Sequence, residues 1–367
     1  MQTTPFSRSQ RGVLVVVDLG DPHRPLEPEL DEFEALVHAA GATVLTRIVQ
    51  RRDAVDAATL VGSGKAREIA DAVRECGANL VLVLNDLRPR QRKNLERVIP
   101  VPIVDRTMVI LDVFARHARS REGKLQVELA QLRYRQSNLI GIGADLSRLG
   151  GGIGTRGPGE TKLEVDRRRI AERISVLGGQ LEQVRRQRAT RRSTHRREPL
   201  VALVGYTNVG KSSLLNVLAG AQSPSKGALV ADQPFATLDP TVRRVYLGPD
   251  RFARVVDTVG FITDLPKDLV TAFRATLEEL DEADVLLQVM DASNPDRERQ
   301  RRAVDVLLCE LKLDRKPRLF VMNKIDAVSG EIPHDARTLE VSAKTGAGIE
   351  GLRSAIAAEC VKNEVHQ

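Results

Sequence analysis

Tryptophan is absent from this 367-residue chain, and aromatic residues make up only 3% of it. That scarcity argues against base recognition on aromatic platforms of the RRM kind. Cysteine is nearly as scarce. Cys76, Cys309 and Cys360 are scattered and lack metal-ligand spacing, which argues against a disulfide framework or a cysteine zinc site and leaves free thiols. No apolar run is long enough to cross a bilayer. The opening residues, Met1-Gln2-Thr3-Thr4-Pro5-Phe6-Ser7-Arg8, lack the apolar core of a signal peptide. A cytoplasmic, monomeric protein is expected, with at most transient membrane association.

The chain holds enough residues for two or three domains with sizeable cores. Its charge is basic, with 56 Lys and Arg against 49 Asp and Glu, a net +7. That balance favours a polyanionic partner.

The most informative segment is Gly205-Tyr206-Thr207-Asn208-Val209-Gly210-Lys211-Ser212, followed by Ser213. An apolar strand, Leu200–Val204, precedes it, and a helical pattern, Ser213–Leu218, follows. Strand, G-x-x-x-x-G-K-S and helix together predict a phosphate-binding loop. Its backbone N–H groups and the helix N-terminus favour a polyphosphate. Lys211 is expected to reach the β- and γ-phosphates, and Ser212 to hold Mg²⁺.

Asn323-Lys324-Ile325-Asp326 follows a second apolar strand, Arg318–Met322. A carboxylate at 326 can accept from the N1–H and 2-amino group of guanine, whereas adenine would leave it unpaired. Ser342-Ala343-Lys344, after the strand Thr338–Val341, is expected to add a backbone contact to the guanine oxygen. These residues predict a GTP and GDP site.

Between them lies the strand Val255-Val256-Asp257-Thr258-Val259-Gly260, ending in D-x-x-G. Asp257 is expected to hold Mg²⁺ through a water, and the Gly260 N–H to sense the γ-phosphate. Phe235-Ala236-Thr237-Leu238-Asp239-Pro240-Thr241 stands where a switch loop supplies a threonine to Mg²⁺. Thr237 is the first choice and Thr241 the second. Lys211, Thr237 and Gly260 form the expected hydrolytic set. Phe261 occupies the position where many signalling GTPases carry a water-orienting glutamine, so slow intrinsic hydrolysis and a stimulating partner are expected. Asn208 has two readings: a ligand of K⁺ beside the phosphates, or a stabiliser of the loop.

Upstream, Leu125, Leu129, Leu132 and Leu139 repeat at helical spacing, and Leu163, Ile170, Leu177 and Val184 recur every seven residues with Ile174 and Leu181 between. The second set is an a/d seam that needs a partner helix. The stretch Arg148–Glu160 is expected to interrupt the helices. Residues 119–190 therefore predict a long helical hairpin with a glycine-rich tip carrying Arg148 and Arg156. Such a tip suits close approach to RNA, or alternatively packs on the protein's own domains. The arginine-rich run Arg185–Arg197 reads as a basic linker suited to phosphate contact.

The N-terminal part alternates strand and helix: Val13–Val17, Glu29–Ala40, Thr43–Val49, Lys65–Glu75, Leu80–Leu84, Gln91–Val98 and Pro102–Val104. This predicts a parallel α/β domain. Gly62-Ser63-Gly64-Lys65 lacks phosphate-loop spacing and is read as a helix-start turn, the alternative being contact with a second nucleotide or an RNA phosphate. The expected fold is multidomain α/β: an N-terminal parallel α/β domain (1–118), a helical hairpin (119–198) and a C-terminal P-loop domain with a doubly wound sheet (199–367).

The chain resembles the HflX family of ribosome-associated GTPases. The resemblance rests on Gly123–Tyr134, Gly151–Thr161, Gly205–Asn208, Ala231–Gln233, Phe235–Thr241 and Asp257–Phe261, with weaker matches at Leu60–Lys65 and Arg90–Leu95. It implies a GTP hydrolase that binds the 50S subunit, is activated there, and splits or rescues stalled ribosomes or aids the large subunit. It further implies that Arg148, Gly151, Gly152, Gly154, Arg156 and Gly157 face rRNA, and that ATP also binds the N-terminal region. Several members carry a small extra domain after the GTPase domain, which is not seen before Gln367. Two other readings are an ATP- or GTP-driven RNA-remodelling enzyme and a signalling switch that binds a protein.

Overall fold

The structure, a computed structural model, describes residues 10–21, 24–149, 158–192, 198–220, 240–262, 278–330 and 338–366. Side chains of 140–149, 158–163, 185, 187–192, 278–279 and 364–366 lie outside that description. The chain divides into two compact units, residues 1–116 with 125–180, and residues 117–124 with 181–367.

The first unit contains a four-stranded parallel sheet. Its strands are β1 (Gln10–Asp18), β2 (Ala42–Arg51), β3 (Leu80–Val83) and β4 (Ile103–Asp105), in the order β2-β1-β3-β4. The continuous apolar run of β1 reflects burial on both faces, with Val13 to Val17 all 2% exposed or less. Helices α1 (Leu26–Ala39), α2 (Ser63–Cys76) and α3 (Pro89–Glu96) connect the strands. Val13, Val15, Val17, Val81 and Val83 form one core cluster with Ala66, Ile69 and Val73 of α2 and Leu95 of α3. The Gly62 turn starts α2 with φ +84°, and Lys65 pairs with Glu68 at 2.7 Å.

A further helix, α4 (Arg106–His117), was not expected. Its run Met108–Phe114 is mostly apolar and rich in β-branched residues, broken by Asp112; its start signal is Asp105, which ends β4 and accepts from Met108 N–H at 3.0 Å.

The hairpin helices are α5 (Arg121–Leu149) and α6 (Pro158–Arg192). The expected interruption at Arg148–Glu160 is shorter than predicted. Arg148 and Leu149 close α5, and Pro158, Gly159 and Glu160 form the first turn of α6. Proline suits that turn because its missing N–H has no intrahelical partner there. The basic run is helical as far as Arg192. Leu177 and Leu181 of the seam are 0% and 6% exposed, whereas Ile170, Ile174 and Val184 are half-buried. Within the first unit, Arg173 of α6 pairs with Glu128 of α5 at 2.7 Å.

The second unit holds a six-stranded sheet: β5 (Leu200–Gly205), β6 (Thr241–Gly248), β7 (Arg251–Asp257), β8 (Val285–Asp291), β9 (Arg318–Asn323) and β10 (Thr338–Glu340). Their order is β10-β9-β8-β5-β7-β6, parallel except for the β6–β7 pair. Helices α7 (Lys211–Leu218), α8 (Glu278–Glu282), α9 (Arg297–Glu310) and α10 (Ile349–His366) complete it. Ala202, Val204 and Leu286 pack with Leu280, Val304 and Leu308 in one core cluster. The strand order reverses at β5, so the crevice beyond its C-terminal end is where a doubly wound sheet receives ligands.

Candidate functional site

The phosphate loop leaves β5 at that crevice. Gly210 has φ +88°, and a Cβ there would lie 2.4 Å from Asn323 Nδ2, so a side chain is excluded by both backbone and space. Lys211 opens α7 and is buried at 6% exposure. Its Nζ donates to the Gly205 carbonyl at 3.0 Å and the Tyr206 carbonyl at 2.7 Å. Burial lowers its pKa to about 8, against an opposing pull from the Asp257 carboxylate.

Asp257 ends β7 completely buried, and the Ser212 hydroxyl donates to its Oδ2 at 2.6 Å. A hydroxyl and a carboxylate oxygen are thus brought together from residues 45 positions apart, the hard donor set that suits Mg²⁺. Thr258 turns away: its hydroxyl donates to the Leu203 carbonyl at 2.6 Å and locks β7 to β5.

The D-x-x-G segment is stitched to the phosphate loop. Thr207 N–H donates to the Phe261 carbonyl at 2.8 Å and Phe261 N–H to the Gly205 carbonyl at 3.0 Å. A Cβ at Gly260 would meet Thr207 Cα at 2.9 Å and Lys211 Nζ at 3.1 Å. Phe261 is 3% exposed and packs in the core cluster of the second unit, so this position offers no side chain to orient a water.

Asn323 closes the other side. Its Nδ2 donates to the Val209 carbonyl at 2.8 Å, and its Oδ1 accepts from Ala343 N–H at 3.0 Å. Lys324 Nζ donates to the Asn208 carbonyl at 2.8 Å and pairs with Asp291 Oδ2 at 2.7 Å. Asn208 is exposed with φ +61°. Asp326 is exposed in a 3-10 turn and accepts from Ser342 Oγ at 2.5 Å. The Ser342 hydroxyl oxygen in turn accepts from Lys344 N–H at 3.2 Å and Thr345 N–H at 3.0 Å. The amide of Ala343 is thus engaged by Asn323, and that of Lys344 by Ser342 of its own loop.

The structure brings together residues 205–213, 257–260, 323–326 and 342–344. Phe235, Ala236, Thr237, Leu238 and Asp239 lie outside the described residues, as do Gly151, Gly152, Gly154, Arg156 and Gly157. Arg148 ends α5, its side chain also outside the description. The second-choice threonine, Thr241, is held in the ladder opposite Asp257.

Sequence reasoning missed Asp291. Its Oδ1 accepts from Ser293 N–H at 2.9 Å and Ser293 Oγ at 2.6 Å while Oδ2 holds Lys324, so it props the phosphate loop through Lys324. The available signal was an acidic residue closing a fully buried, largely apolar strand at the crevice edge.

Three family models match successive stretches: "GTP-binding GTPase N-terminal" over 27–115, "GTP-binding GTPase Middle Region" over 117–195 and "50S ribosome-binding GTPase" over 200–324. A GTPase HflX from Caldanaerobacter subterraneus subsp. tengcongensis is 46% identical, with 97% of this chain and 82% of that protein aligned. One from Escherichia coli K12 is 45% identical over 92% of this chain and 80% of that protein. Among solved structures, an SsGBP–GDP complex shares the fold at a TM-score of 0.50 and 24% identity, covering 96% of this chain and 99% of that one. Among the described residues no helix is long and apolar enough to cross a membrane.

Proposed function

Because the chain belongs to the HflX family of GTPases, we propose that it hydrolyses GTP in response to the large ribosomal subunit and there splits or rescues stalled ribosomes or aids the large subunit. Hydrolysis of GTP to GDP and phosphate follows from the family and the P-loop domain. The observation that carries the site assignment is the convergence of Lys211, Ser212, Asp257, Gly260 and Asn323 at the switch point of the second sheet.

In this reading the 205–213 backbone and Lys211 take the phosphates. Asp326, steadied by Ser342, takes the guanine edge. Ser212 and Thr237, with Asp257 through a water, would hold Mg²⁺, which would neutralise charge on the β- and γ-phosphates. Gly260 senses the γ-phosphate through its N–H, which its close approach to Thr207 and Lys211 suits. The inward-facing Phe261 leaves water positioning to a partner, and the ribosome supplies it.

The hairpin tip, Arg148 with Gly151, Gly152, Gly154, Arg156 and Gly157, faces rRNA, and the long basic α6 supports it with phosphate contacts. The division 1–118, 119–198 and 199–367 is retained as the functional one. K⁺ at Asn208, ATP at the N-terminal domain and a monomeric, cytoplasmic state are further parts of the proposal. Co-sedimentation with 50S subunits tests the ribosomal part. Binding is expected with a non-hydrolysable GTP analogue, weaker with GDP, falling as salt rises. Equal recovery in the absence of subunits would reject it.

A further inference from the structure

Two of the segments that carry the family likeness, around Arg92 and Tyr134, take no part in the nucleotide site. In the first unit they meet. The Tyr134 hydroxyl on α5 donates to Asp105 Oδ2 at 2.5 Å. Arg92 on α3 donates from one nitrogen to that hydroxyl at 2.8 Å and to Asp105 Oδ2 at 2.5 Å. Its other terminal nitrogen bonds the Ile103 carbonyl at 2.5 Å. The second Asp105 oxygen accepts from Met108 N–H at 3.0 Å, so one carboxylate gathers the end of β4, the start of α4, α3 and α5. Asp105 is 1% exposed. Burial, reinforced by Asp105, raises the Tyr134 pKa, which keeps the phenol protonated as a donor.

A buried, charged cluster of this kind gains little stability over apolar packing, whereas its geometry is specific. What it specifies is the direction of a lever. Fifteen residues of α5 lie beyond Tyr134, roughly 22 Å at 1.5 Å per residue. A change of direction of about 10° at Tyr134 would therefore move the end of α5 by about 4 Å. The turn just past Tyr134 is also pliable. Ser137 Oγ and Asn138 Nδ2 both donate to the Tyr134 carbonyl, at 2.8 and 2.9 Å, and such side-chain bonds compete with the helix ladder and bend it. On the near side of the turn, the Arg173–Glu128 pair ties α6 to α5.

We propose that Arg92, Asp105 and Tyr134 form a latch that sets the direction of the helical hairpin. Tyr134 is a positioning residue for partner-stimulated GTP hydrolysis, remote from the nucleotide. This rests on the reading that the hairpin tip engages the large ribosomal subunit. Without the latch, the hairpin samples directions in which the tip misses its partner, so encounter weakens while the chemistry, once docked, is unaltered.

The test is Tyr134→Phe in the full chain, which keeps the ring and removes one hydroxyl. Basal GTP hydrolysis and melting temperature are expected to stay close to the parent. The 50S concentration for half-maximal stimulation is expected to rise about tenfold, the worth of one hydrogen bond to a charged group, with the rate at saturating 50S unchanged. Amide exchange over 135–149 is expected to quicken by a similar factor. Asp105→Asn, which keeps an acceptor but removes the charge, should move both readouts the same way. Unchanged half-stimulation and unchanged exchange overturn the latch. A fall in melting temperature together with the saturating rate assigns Tyr134 to packing and also overturns it. If 50S subunits fail to stimulate the parent, the ribosomal reading falls, and exchange alone decides the latch: faster supports it, unchanged overturns it.

Discussion

Asn323 Nδ2 donates to the Val209 carbonyl across 114 positions of sequence at 2.8 Å, while its Oδ1 accepts from Ala343. One buried amide thus fixes the phosphate loop against the two loops expected to read the base. Asn323→Ala removes both bonds and strands a buried carbonyl. A loss of about 1–3 kcal/mol is expected in denaturant unfolding, along with weaker binding of GDP and GTP alike. Unchanged unfolding would remove Asn323 from this structural role.

Lys211 titrates at about 8 in the folded chain instead of 10.5, chiefly because it is buried. Between those values the unfolded chain binds more protons than the folded one, so stability of the nucleotide-free protein rises with pH from about 8 to about 10.5. Below pH 8 the buried ammonium costs on the order of 3 kcal/mol. Lys211→Met is therefore expected to be more stable than the parent at pH 7 without nucleotide, with the gap narrowing towards pH 10, while GTP binding is lost. A variant less stable at every pH would contradict this.

Gly260 has no room for a methyl group, which would press on Thr207 Cα and Lys211 Nζ. Gly260→Ala is expected to slow single-turnover GTP hydrolysis tenfold or more, a barrier change of about 1.4 kcal/mol, with GDP affinity altered far less. An unaffected rate would place the γ-phosphate elsewhere.

Asp326, held by Ser342, is the residue assigned to guanine. Asp326→Asn is expected to lower selectivity for GTP over ATP by about a hundredfold or more in competition binding. Selectivity equal to the parent would sink the assignment.

The parts legible in the sequence were those with short-range signals. Leu200–Val204 into G-x-x-x-x-G-K-S, and Arg318–Met322 into N-K-x-D, each carry strand, loop and chemistry in one short stretch of sequence. The seven-residue repeat marked α6, and Leu177 and Leu181 are buried as it requires. What escaped depends on distant partners. Asp291 gains meaning from Lys324, and Arg92 from Asp105 and Tyr134, pairings that only the folded sheets create. Helix ends were misjudged at Pro158, because glycine and proline near the tip suggested coil although proline fits a first helical turn.

The central claim is that the large subunit supplies what Phe261 lacks. The rate of GTP hydrolysis in K⁺ buffer, with and without purified 50S subunits, tests it most directly. A slow basal rate raised many-fold by 50S, and restored to basal when residues 150–157 are replaced, is the predicted result. A rate indifferent to 50S would contradict it.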